Sequence, residues 1–205
     1  MKKGILRGCS LAVACIFSGL LLAGCGGGGD AKQPPAKQEQ QAAASGLKSA
    51  EFEQPILLTS IGQSADAQMV KALIERNGLK CEYNVAAKAD ALANEKTLVL
   101  VIGGSSKGMG AAGVNQAQEE QRAKALIAKA KEKNIKIIAM HVGGSSRRGE
   151  LTDRFIPLMS EANYAIVVAD GDTDKAFSKA VAGKMPIDFP ANISDTGKYL
   201  KAAFK

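Results

Sequence analysis

The chain has no tryptophan, three tyrosines, six phenylalanines and one histidine among its 205 residues. So few aromatic rings leave no stacking platform for single-stranded nucleic acid, which excludes nucleic-acid binding in spite of a formal net charge of +7. The lone His141 has no second histidine and no suitable cysteine near it in sequence, so no zinc site is expected. No other metal and no organic cofactor is expected either.

What is present begins with a targeting segment. Lys2, Lys3 and Arg7 form a basic start, and "CSLAVACIFSGLLLAG" follows as an apolar stretch too short and too rich in small residues for a comfortable membrane span. Residues 1–24 read as a signal peptide. "LAGC", Leu22 to Cys25, resembles the lipobox of bacterial lipoproteins. That resemblance implies cleavage before Cys25 and a diacylglyceryl thioether on it, with acyl chains holding the mature protein on a membrane at about 0.8 kcal/mol per buried methylene. The expected place is the bacterial envelope, lipid-anchored, with the folded part outside the cytoplasm. Cys9 and Cys15 leave with the signal, Cys25 is the anchor, and Cys81 stands alone, so the mature chain has no internal disulfide. Cys81, in "KCEYNV", reads as a small buried hydrophobe. Three of the positive charges also leave with the signal, and the mild remainder suits an acidic surface or a small anion.

Residues 25–50 read as the lipidated cysteine and a flexible tether, because "GGGGDAKQPPAKQEQQAAASGLKSA" offers almost no large apolar side chains. Residues 51–205 remain as a single α/β domain, long enough to bury about 68–70% of its unfolded surface. Apolar runs of strand length, "PILLTSI", "CEYNV", "TLVLVI", "IKIIAMHV" and "YAIVVA", alternate with stretches of helical period. Nearly continuous apolar runs suit parallel strands covered on both faces. The expected architecture is a three-layer sandwich around a five-stranded parallel sheet of flavodoxin-like order 2-1-3-4-5, with a Rossmann-like order as the alternative. In the helix after "GQSAD", Ala65, Met69, Ala72, Leu73 and Arg76 are expected to share a face. In the next long helix, Ala123, Leu126, Ile127 and Ala130 recur at spacings of three and four, and Tyr199, Leu200, Ala203 and Phe204 of a C-terminal helix should cover the sheet.

Right-handed crossovers put the strand-to-helix loops at the carboxyl edge of such a sheet, where these folds bind ligands. Two of the loops echo each other: "GGSSKG" follows the third strand and "GGSSRRG" the fourth. The first is the core of "GGSSKGMGAAG", which touches three motifs. Gly108, Gly110 and Gly113 satisfy the dinucleotide fingerprint G-x-G-x-x-G, and "GGSSKGMG" resembles the nucleotide loop of short-chain dehydrogenases. The loop follows the third strand rather than the first, however, no Tyr-x-x-x-Lys pair comes after it, and the next strand ends in His141 rather than an acid. A phosphate-binding loop would need Lys-Ser/Thr after Gly108, where Met109 stands. Gly104, Ser106 and Gly108 match the nucleophile elbow G-x-S-x-G, and a Ser106–His141 dyad oriented by Asp66 or Glu150 is the alternative, esterase-like reading. "DGDTD", Asp170 to Asp174, lacks the turn glycine and final glutamate of a calcium loop, and its acids suit a helix start instead.

The loops share one chemistry without a reaction. Backbone N–H groups and the hydroxyls of Ser64, Ser105, Ser106, Ser145 and Ser146, with Lys107, Arg147 and Arg148, can cradle a carboxylate or phosphate. The ligand-binding set expected on this basis is Gln63, Ser64, Asp66, Gly104, Ser105, Ser106, Lys107, His141, Gly144, Ser145, Arg147 and Arg148. "PILLTSIGQSADAQMVKALIERNGL", "VIGGSSKGMGAAGVN" and "IIAMHVGGSSRRGELTDRFI" together resemble an uncharacterised, domain-of-unknown-function family of secreted bacterial α/β proteins. The resemblance implies a secreted single domain and no particular activity. The expected function is a lipoprotein that binds a small anionic solute, serving a membrane transporter or sensor. An enzyme based on Ser106 is the first alternative, and a structural or partner-binding lipoprotein the second.

Overall fold

A computed structural model describes residues 46–205. The expected signal peptide, Cys25 and most of the expected tether lie outside the described residues. The fold begins earlier than position 51: the Leu47 N–H donates to Asp188 Oδ2 at 3.2 Å, and Leu47 packs against the core. The same carboxylate accepts the buried Tyr164 hydroxyl at 2.7 Å, so a tyrosine and the entering backbone share one acceptor.

The apolar runs form parallel strands β1 (Ile56–Ile61), β2 (Cys81–Tyr83), β3 (Thr97–Ile102), β4 (Lys136–His141) and β5 (Tyr164–Val167). A sixth strand, β6 (Ile187–Asp188), pairs in parallel with β5, so the sheet has six strands in the order 2-1-3-4-5-6 rather than five. β6 was hidden from the sequence pattern because it is two residues long and lies close to Pro186 and Pro190, which cannot donate to a ladder. Every residue of β1, β3 and β5 is buried. Successive side chains feed different cores: Leu98, Leu100 and Ile102 join one apolar cluster, Val99 and Val101 the other.

Helices α1 (Asp66–Arg76), α2 (Ser106–Ala111), α3 (Gln116–Glu132), α4 (Glu150–Asp153), α5 (Ala176–Val181) and α6 (Ile193–Ala203) follow strands or loops at the carboxyl edge. α3 and α5 supply the first cluster through Ala123, Leu126, Ile127, Ala130, Phe177 and Val181. α1 and α6 supply the second through Ala67, Val70, Ile74, Leu200 and Ala203. The buried face of α1 differs from the sequence expectation: Asp66, Ala67, Val70, Leu73 and Ile74 point inward, while Met69 is 42% exposed. Asp66 turns in at the helix start, and positions four and eight residues on, Val70 and Ile74, follow it onto that side. Cys81 is half-buried against the second cluster, and burial pushes its thiol pKa up.

α3 opens with a capping box, in which the Asn115 side chain accepts from the Gln118 N–H and the Gln118 side chain accepts from the Asn115 N–H. α6 is capped by Asn192, whose side chain accepts from the Asp195 N–H. The acids of "DGDTD" also serve a helix start: Asp172 Oδ1 accepts from the N–H of Phe177 at 2.8 Å in the first turn of α5.

Candidate functional site

The strand order reverses between β1 and β3, and in open sheets of this order the ligand crevice lies there. Here its two walls are joined by backbone. Gln63 and Gly104 form an antiparallel bridge, the Ser105 N–H donates to the Gly62 carbonyl at 2.8 Å, and the Gly103 N–H donates to Ile61 at 2.9 Å. The turn that allows this approach places Gly62 at φ 94° and Gln63 at φ 59°. Gly108 sits so close that a β-carbon would fall 1.9 Å from the Gln63 carbonyl oxygen, which only a glycine permits.

A buried carboxylate braces the closure from below. Glu119 of α3, fully buried, accepts the Gly62 N–H at 2.9 Å and the Gln63 side-chain amide at 3.1 Å. Arg122, one turn along, pairs with it at 2.7 Å and donates onward to the carbonyls of Ser60 and Ala87. Burial alone would raise the Glu119 pKa. The Arg122 guanidinium and the Gly62 and Gln63 donors outweigh that and hold it below its ordinary value.

Most donors expected to cradle an anion are therefore already in use. The Ser105 hydroxyl caps α2 by accepting from Gly108 at 3.0 Å. The Gly104 N–H donates to Thr152 Oγ1 at 2.8 Å, and that hydroxyl donates to the Arg147 carbonyl. In the loop after β4, the N–H and hydroxyl of Ser145 both donate to Asp170 Oδ2, at 3.3 and 3.0 Å. Gly144, at φ 59°, makes room for the same carboxylate. The Ser146 hydroxyl donates to the Gly143 carbonyl.

The two neighbouring arginines have different employment. Arg148 is held by Asp153 at 2.8 Å, Asp174 at 2.8 Å and the Gly171 carbonyl at 2.6 Å, above the Phe177 ring. Its guanidinium holds the Asp174 carboxyl far below the usual range. Arg148 thus locks the loop rather than facing a ligand. Arg147 is 37% exposed, and its one charged neighbour within salt-bridge distance is Asp66, at 3.3 Å from Nε to Oδ2. Among the described residues its outer nitrogens have no acceptor.

His141 is fully buried and stacks on Phe177 at 4.6 Å. Its Nδ1 lies 2.9 Å from the Ile102 carbonyl and its Nε2 3.2 Å from the Gly144 carbonyl, so neither ring nitrogen faces Ser106. A serine–histidine dyad would require the ring to give up at least one of these contacts. Ser106 and Lys107 themselves are exposed at the start of α2.

Asp66 is drawn into the same rim. Its N–H donates to Ser64 Oγ at 3.3 Å, and its carboxylate lies between Gly103 and Gly143, where added β-carbons would come 2.7 and 2.8 Å from Oδ2. The structure therefore brings Ser64, Asp66, Gly103, Gly143 and Arg147 together, and leaves Ser106, Lys107 and the guanidinium end of Arg147 open to solvent. The side chains missed by sequence reasoning are Glu119, Arg122, Thr152 and Asp170, the acceptors and braces that fill the loops. Only the three-residue spacing of Glu119 and Arg122 on one helix gave a signal. Among the described residues no group of three or more His, Cys, Asp or Glu side chains is placed to hold a metal ion.

Comparison with curated proteins and with solved structures finds no match. Residues 53–204 match the family described as "Domain of unknown function (DUF6305)", which takes in β1 through α6. The chain belongs to that DUF6305 family.

Proposed function

We propose that this protein is an extracytoplasmic lipoprotein, anchored through Cys25, that binds a small solute by an anionic group at the carboxyl edge of its sheet. The frame is a flavodoxin-like three-layer arrangement carrying one additional edge strand. The observation that carries the reading is Arg147: its inner nitrogen faces Asp66 at 3.3 Å, its side chain is 37% exposed, and its outer nitrogens have no acceptor among the described residues. Such a guanidinium is drawn toward Asp66 at one end and available at the other, which suits bidentate capture of a carboxylate or phosphate. Lys107 adds a second exposed cation on the neighbouring loop. Delivery to a transporter or sensor in the same membrane is the role this chemistry would serve.

The test is a thermal-shift screen of the purified chain against carboxylates, phosphates, sulfate and nucleotides, with Arg147→Ala and Lys107→Ala in parallel. Ligand at about 100 times its Kd adds about 2.7 kcal/mol. A midpoint rise in the parent protein that disappears in Arg147→Ala is the expected result; an equal rise in both variants removes the basis of the reading. A second reading, a surface for a protein partner, draws support from the backbone bridge between Gln63 and Gly104 where such sheets commonly open. Silence across the whole panel would favour it.

A further inference from the structure

The Asp66 carboxylate lacks what a buried carboxylate needs. Its side chain is 1% exposed, and among the described residues neither oxygen has a hydrogen-bond partner. Arg147 Nε, 3.3 Å from Oδ2, is itself buried and unpartnered, so the two charges attract without forming a bond of good geometry. The carboxylate is confined by two glycines, Gly103 and Gly143, rather than by donors. A charge removed from water in this way is costly unless donors reach it.

This bears on the ligand, on the reading above that an acidic group docks on Arg147. A bare anion at the outer guanidinium nitrogens would meet the negative charge of Asp66 directly behind the arginine, and like charges oppose at such range even in a partly polar medium. A ligand carrying its own ammonium reverses the sign of that contact. Its three N–H donors match the unfilled Asp66 oxygens, and its acid keeps the arginine. Arg147, the exposed member of the pair, is the side chain that must swing aside to admit the ammonium. We infer that the ligand is a small zwitterion, an amino carboxylate or amino sulfonate with its charges a short chain apart, its ammonium on Asp66 and its acid on Arg147.

The experiment is isothermal titration of the purified chain with matched pairs: glycine and acetate, β-alanine and propionate, γ-aminobutyrate and butyrate, taurine and ethanesulfonate. In at least one pair the amino compound should bind about ten-fold more tightly than its deaminated partner. Asp66→Asn, close to isosteric, should bring that pair to within about two-fold by weakening the amino compound alone, and Arg147→Gln should weaken both members. The comparison within the parent protein stands even if a variant fails to fold. Deaminated acids that bind as tightly as their amino partners in every pair would overturn the zwitterion and leave the anion site standing. Failure of every acid, amino or not, would overturn both.

Discussion

The loop from Gly103 to Gly108 and the loop from Gly143 to Gly149 begin with the same four residues, Gly-Gly-Ser-Ser, and differ in what presses against them. The first is fastened mainly by main chain, with a bridge to Gln63, a bond to Gly62 and a glycine packed against the Gln63 carbonyl, and by one side chain, Thr152, on Gly104. The second is fastened by side chains, with Asp170 on Ser145, Asp153 and Asp174 on Arg148, and Arg147 beside Asp66. Main-chain fastening leaves a loop one arrangement. Side-chain fastening can exchange partners, because a carboxylate that holds an internal donor can yield it to a ligand. The ligand reading therefore belongs to the second loop more than to the first, although the first has more motif matches.

The largest expected effect tests that contrast. Gly108→Ala puts a β-carbon 1.9 Å from a backbone oxygen, and Gly143→Ala puts one 2.4 Å from Arg147 Cβ and 2.8 Å from Asp66 Oδ2, both of them side-chain atoms. A backbone oxygen leaves no cheap relief at Gly108, whereas the Arg147 Cβ at Gly143 gives way only if the second loop's own backbone shifts; with that loop able to rearrange, Gly108→Ala should cost about 3 kcal/mol and Gly143→Ala about half as much. Urea unfolding of both variants measures this. Equal losses would mean that the second loop is as rigid as the first.

A smaller effect follows from Glu119, which braces the Gly62–Gln63 turn on which the first loop is fastened. A carboxyl held below its ordinary 4.5 in the folded state contributes stability that is complete above that value and is lost as pH falls through the lower, folded one. Glu119→Gln should cost about 2 kcal/mol at neutral pH, because the largely covered Arg122 loses its counter-charge. It should also lose less stability than the parent protein on acidification from about pH 5 to about pH 3. Parallel stability curves would show that Glu119 does not set the acid sensitivity of this closure.

The sheet was legible because long buried strands write themselves as apolar runs, as in "TLVLVI", and the location of the rim followed from parallel connection. α3 was legible because its inward side chains recur at the helical period. The inward face of α1 was written at the same period, in Ala67, Val70, Leu73 and Ile74, but the expected face was drawn through Ala65 and Met69 instead; within the true face only the buried Asp66 has no apolar signal. Within the site, sequence identified the donors and missed their acceptors. Ser145 and Asp170 are 25 positions apart, Gly104 and Thr152 are 48, and Gly62 and Glu119 are 57. Each acceptor is an ordinary polar residue in its own stretch, and only the strand order brings it to its loop.

The smallest effect concerns the three glycines that imitate a dinucleotide fingerprint. In such a loop each glycine has a duty toward the cofactor or its helix. Here Gly108 is required by the Gln63 carbonyl and Gly113 adopts φ 67°, whereas Gly110 has helical backbone on an exposed face with nothing within 4 Å of its would-be β-carbon. Gly110→Ala should therefore stabilise the protein by about 0.5 kcal/mol, by restricting the unfolded chain and favouring α2. Two residues apart in one short helix, the same substitution at Gly108 and Gly110 should have opposite signs. Thermal midpoints measured with and without the amino and deaminated acids give the check. A destabilised Gly110→Ala, or one that loses binding, would return the motif to the site; a stabilised variant with unchanged binding leaves the spacing as a coincidence of turn and packing glycines.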